Sequence, residues 1–231
     1  MQIINDNLLD KERREKLKEL IEEIIQIKDI EECIQDIKGI KIIEENILHK
    51  DISASIKDGY IIIPINKIGN IIENSEEINL IKSNIIHEIY HMKLKRILPK
   101  IHKKHKEAYN NEDFITSFTI VIYIEYLTHL ESSKYETEKM IDQYLKSIND
   151  YNWDFSDDIS KIYLVKHAGY IIARAEDERV KNKNYILNLK NEILRKEIKK
   201  IQDILDNIRI EDNYNQLLPI ENIVRKYITN E

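Results

Sequence analysis

An α+β fold dominated by helices is what this sequence predicts, and three observations predict it. Four glycines and three prolines in 231 residues leave few points at which a helix must break. Isoleucine and leucine recur at helical spacing over most of the chain. Only between Ile40 and Ile65 does that period give way to short apolar runs punctuated by turn residues.

The elements follow in order. Residues 8–28, LLDKERREKLKELIEEIIQIK, place Leu9, Leu17, Leu20, Ile21, Ile24 and Ile25 near one helical face, with Asp6 or Asn7 available as N-cap. IKII, DISASI and YIIIPI then read as strands, the last two joined through KDG at 57–59 as a tight hairpin. Pro64 has no amide donor, so the YIIIPI strand should lie at a sheet edge or end there. Helical spacing returns after Asn74: Ser75 and an acidic first turn open a helix that stops near Pro99. Further helices are expected at about 112–133, 135–149, 157–180, 184–208 and 219–229. The polar segment 149–158, NDYNWDFSDD, is the expected hinge, giving a first domain at 1–150 and a helical extension at 151–231 packed on it.

Composition narrows the classes. With 34% charged and 42% hydrophobic residues the chain is an ordinary globular one. Its net charge of -6 argues against nucleic acid as a direct partner, and HKKHK at 102–106 is too small a basic patch to reverse that. No apolar run is long enough to span a bilayer. The single Cys33 cannot close an internal disulfide, and the first residues lack the order of a signal peptide, so a cytoplasmic protein is expected.

SNIIHEIYHMKLKRI, residues 83–97, carries the chemistry. His87 and His91 lie four residues apart on a predicted helix, so both imidazoles leave one face a turn apart and can grip one metal ion. Glu88 sits beside them, where a carboxylate can take a proton from a water activated by zinc. The bland alternative is two core histidines, which would need hydrogen-bond partners for four ring nitrogens.

A catalytic zinc ion takes three protein ligands and keeps one position open. A third histidine six residues after the second, preceded by glycine, is excluded, because Ile97 and Leu94 occupy those places. Glu125 is the better candidate, since it interrupts the mostly apolar run from Phe118 to Ile124 on another predicted helix. The bland alternative for it is a surface carboxylate or one paired with a nearby lysine. His129, one turn further on, is a competing ligand, a partner of the ligand, or a transition-state donor. His102 and His105 fall in a lysine-rich stretch expected to be an exposed loop.

IIHEIYHMKL followed by IYIEYLTHLESS resembles the zincins whose third ligand is a glutamate, and in particular the ImmA/IrrE-like metallopeptidases common in phage and mobile-element regions. The resemblance covers about residues 40–133. It implies a zincin-like domain in which a small antiparallel or mixed sheet with an edge strand packs on the HExxH helix. It also implies Zn2+ on His87, His91 and Glu125, with Glu88 as general base. The protein would then be a hydrolase acting on a protein or peptide, the implied substrate including a transcriptional repressor. Tyr90 departs from the small residue that related chains often carry before the second histidine, and no DNA-binding helix-turn-helix is evident.

In the mechanism so implied, Glu88 takes the proton of the attacking water and returns it to the departing amine. Tyr126, His129 and His167 are the candidate oxyanion donors. The YIIIPI strand would either receive an extended substrate at a sheet edge or simply be core. Two other classes stay open: a zinc-binding regulatory or interaction protein of phage or mobile-element origin without turnover, which four protein ligands would favour, and a helical interaction protein in which HEIYH is accidental. The C-terminal helices fit packing on the core or a partner contact; substrate and oligomeric state are not written in the residues.

Overall fold

The fold is taken from a computed structural model that describes residues 1–44, 54–69, 71, 74–151 and 158–228, the side chains of 158–166, 227 and 228 excepted. It is α+β and mostly helical, with one small mixed sheet. Two compact units emerge: Met1–Lys93 with Lys134–Thr137, and Leu94–Ser133 with Glu138–Glu231. This grouping differs from a division at 150, because the apolar residues from Leu94 onward share one cluster with those of the later helices. Most of the expected hinge at 149–158 lies outside the described residues.

The first unit holds strands β1 (Gln2–Ile4), β2 (Gly39–Ile43), β3 (Ser55–Lys57) and β4 (Tyr60–Pro64), with helices α1 (Lys11–Ile25) and α2 (Glu31–Ile34) and most of α3 (Ser75–Ile97). The strand order is β1-β2-β4-β3, with β2 parallel to β1 and β4 and with β3 antiparallel to β4. Asp58 and Gly59 join β3 to β4 with φ of 54° and 83°, the positive angles that a two-residue hairpin turn needs and that glycine adopts freely. β1 escaped the sequence reading because three residues carry no measurable period. Its fit depends on Gly39, where a Cβ would collide with the Gln2 carbonyl oxygen.

YIIIPI is not an edge strand. β4 lies between β2 and β3, and Ile61 and Ile63 are core residues, so among the described strands the edges are β1 and β3. Pro64 is tolerated as its last residue, opposite Ile43 and beyond the reach of β3. α1 starts at Lys11, later than the apolar pattern suggested, because Asp10 accepts a hydrogen bond from the Arg13 amide at 2.8 Å. Its Leu17, Leu20, Ile21 and Ile24 pack with Ile40 and Ile42 of β2 and with Ile81, Ile85, Ile86 and Ile89 of α3. Burial of each such side chain contributes roughly 1.5–3 kcal/mol, so this stripe fixes the rotation of α3 about its axis.

The second unit is helical: α4 (Pro99–Asn110), α5 (Phe114–Ser132), α6 (Glu138–Asp150), α7 (Asp158–Ala175), α8 (Glu192–Leu205) and α9 (Leu218–Ile228). α5 is buried on most of its circumference, as a central helix must be when apolar residues surround it. α7 approaches it closely at Gly169, where a Cβ would overlap the Ile122 carbonyl oxygen and lie 2.7 Å from the Tyr126 amide nitrogen. α8 begins at Glu192 rather than near 184, because the Asn191 side chain caps it by accepting from the Leu194 amide. The lysine-rich stretch after Pro99 is α4, not a loop: proline takes the first helical position, and both Asp212 oxygens accept from the Lys100 and Ile101 amides at 2.9 Å. Among the described residues no helix is long and apolar enough to cross a membrane.

Candidate metal centre

The isoleucine stripe of α3 leaves His87, Glu88 and His91 on the rest of the helix circumference. His87 is buried and His91 half-buried, and their Nε2 atoms converge to 2.9 Å with the rings nearly perpendicular, 83° apart. Glu88 is half-buried and accepts a hydrogen bond from the Ile56 backbone amide of β3. Loss of water around the carboxylate pushes its pKa from 4.5 up to about 7, and the Ile56 hydrogen bond opposes that rise.

Glu125 of α5 is half-buried. One ligand atom from each of His87, His91 and Glu125 falls within 4.8 Å of the others, and this is the one group of three or more potential ligands that the described residues bring together. Ligand atoms around a tetrahedral zinc ion, at about 2.0–2.1 Å from it, lie roughly 3.3 Å apart. The spacing brackets that value. Two imidazoles and one carboxylate fit a metal ion that keeps a position open for water or substrate.

His129 is buried one turn beyond Glu125, with Nε2 3.9 Å from a Glu125 oxygen. Its ring packs on Tyr170 at 3.7 Å between centroids, and its Nδ1 lies 3.2 Å from Arg174 Nη1 and 3.5 Å from Ser132 Oγ. The other two donor candidates have different surroundings. Tyr126 donates its hydroxyl to Glu176 at 3.0 Å inside the helical core; one residue along α5 turns it about 100° away from Glu125. Burial and the nearby Glu176 charge hold its phenol well above the ordinary range. His167 Nδ1 lies 3.0 Å from the Tyr144 hydroxyl. His102 and His105 are half-buried on α4, and burial lowers the pKa of both. Neither belongs to the ligand group.

Sequence reading missed Arg174, Tyr170 and Gly169. A lone arginine near the end of a helical run carries no local signal, and its partner His129 is 45 residues away. A glycine within an apolar helix is a sign of close backbone approach, and Gly169 offered that sign. Comparison with protein-family models, with curated proteins and with solved structures finds no match.

Proposed function

We propose that this chain is a zinc-dependent metallopeptidase of the zincin type, resembling the ImmA/IrrE-like enzymes, that hydrolyses peptide bonds in a protein substrate. The observation that carries the reading is the convergence of the His87, His91 and Glu125 ligand atoms, with Glu88 next to His87 on the same helix. A zinc ion held by those three residues would supply a Lewis acid that polarises the scissile carbonyl and acidifies water.

Glu88 supplies the proton handling. Its carboxylate, adjacent to His87 and partly shielded from water, would accept a proton from the attacking water and return it to the departing amine. His87 and His91 would hold the ion through the Nε2 atoms that converge on one point. The mixed sheet, whose edge strand β3 touches Glu88 through Ile56, also supports a zincin-like arrangement. A transcriptional repressor is the specific substrate that the family resemblance suggests.

Glu88→Gln tests the reading, because it preserves size and hydrogen bonding while removing the base. The variant should keep its metal and its fold, and cleavage of proteins encoded beside this chain, or of proteins trapped by the variant, should fall by at least ~100-fold. Equal cleavage by both forms would reject the mechanism. Failure of the wild type to cleave any trapped partner would favour a zinc-binding regulatory protein without turnover.

A further inference from the structure

Arg174 is a buried cation on α7, 8% exposed, with its guanidinium carbon 4.4 Å from the Tyr144 ring centroid and 5.7 Å from that of Tyr170. Two aromatic faces therefore offset part of the cost of burying the charge and keep the side chain from swinging outward. Held there, it points Nη1 at His129 Nδ1 from 3.2 Å. A guanidinium has five N–H donors and no acceptor, so the imidazole nitrogen facing it must present a lone pair. The ring is then neutral, and its proton is on Nε2. That N–H faces the Glu125 oxygen 3.9 Å away, beyond hydrogen-bond length yet close enough to bias the orientation of a half-buried carboxylate.

We propose that Arg174 fixes the tautomer of His129, so that an N–H rather than a lone pair is turned toward Glu125 and His129 is withheld from the metal as a fourth ligand. This rests on the reading of His87, His91 and Glu125 as a metal site. The physical reason is exclusive: a nitrogen carrying a proton has no lone pair to give a metal ion. If the proton were on Nδ1, two N–H groups would meet head to head at 3.2 Å. His129 is thus a positioning residue, and Arg174 positions it in turn. With His129 withheld, a metal ion on His87, His91 and Glu125 would have three protein ligands and a position left for water, the condition that separates a catalytic site from a closed structural one. Tyr170 completes the device by covering the imidazole face that packs on it.

The tautomer is read directly from the ring-nitrogen shifts of His129 in the 15N-labelled full-length chain, before and after zinc loading, with zinc affinity measured by competition against a chromogenic chelator. In the wild type, His129 should show a protonated Nε2 and a bare Nδ1 in both states. Arg174→Met should mix the tautomers and weaken zinc binding about 10–100-fold. Arg174→Lys, which keeps a donor, should recover most of both. In a His129→Gln background, which has no ring tautomer for residue 174 to set, Arg174→Met should change zinc affinity less than about threefold. A proton on Nδ1 in the wild type, a large Nε2 shift on zinc loading that marks coordination, or unchanged affinity in a folded Arg174→Met protein would each overturn the proposal. Absence of zinc uptake by the wild type would instead overturn the metal reading, while the tautomer still reports on Arg174 in the metal-free chain. If Arg174→Met does not fold, the wild-type shifts and the Arg174→Lys affinity decide.

Discussion

Helices α3 and α5 each supply part of the candidate metal group, but they hold their ligands by different means. On α3 the helical period does the work: two histidines four apart project together once Ile81, Ile85 and Ile89 have turned the helix toward its core. On α5 the single carboxylate is surrounded by long-range partners. His129 lies beside it, Arg174 reaches His129 from α7, and Gly169 lets the two helices approach to backbone contact. The difference teaches that ligands set by local geometry can be altered without disturbing the fold, whereas a ligand set by packing is coupled to stability.

That contrast can be broken at several points. The largest effect is expected for His87→Ala, which removes a candidate metal ligand from α3: zinc content, measured by elemental analysis, should fall from about one per chain to nearly none. The urea midpoint of the metal-free protein should shift little. A full zinc complement in the variant would mean that His87 is not a ligand.

Gly169→Ala should show the opposite balance, although residue 169 binds nothing. Its new methyl group meets the Ile122 carbonyl and the Tyr126 amide, and overpacking of this kind costs about 1–3 kcal/mol. The gain of about 0.5–1 kcal/mol from replacing glycine within a helix is smaller, so denaturant unfolding should show net destabilisation. Zinc affinity should weaken with it, because the same methyl group would lie 3.2 Å from the Glu125 carbonyl carbon. Unchanged stability would show that α5 and α7 have slack at this point.

Tyr126→Phe should have the smallest effect. It deletes the hydrogen bond to Glu176, which still accepts from Gln202 at 3.2 Å, so the expected loss is about 0.5–1.5 kcal/mol in unfolding free energy. Zinc content and cleavage should be unaltered. A substantial fall in cleavage at full zinc content would return Tyr126 to the role of an oxyanion donor.

The same division explains what could be read in the sequence. The histidine pair, the KDG hairpin and most of the helices are written in spacing over a few residues, and the described structure has them close to their expected places. Glu125 was visible as a carboxylate that interrupts an apolar run. α4 was not visible, because its stable start depends on Asp212, more than a hundred residues away, and its apolar content is confined to a few positions such as Ile101 and Ala108. β1 was too short for a period, and its partner is set by register with β2. The surroundings of His129 were invisible for the same reason as α4: Ser132 is local, whereas Tyr170 and Arg174 are brought in by tertiary packing.

The contact between Glu88 and Ile56 also bears on association between molecules. β3 pairs through Lys57↔Tyr60 next to a two-residue turn, so the central residue Ile56 turns its amide outward from the ladder. An outward amide on a sheet edge is a template for pairing with another chain, and natural sheets guard such edges with short strands and charged side chains. Here the strand has three residues and the Glu88 carboxylate occupies the amide. The carboxylate therefore occupies an amide with which another strand could otherwise pair, and glutamine at 88 would keep that contact whereas alanine would not.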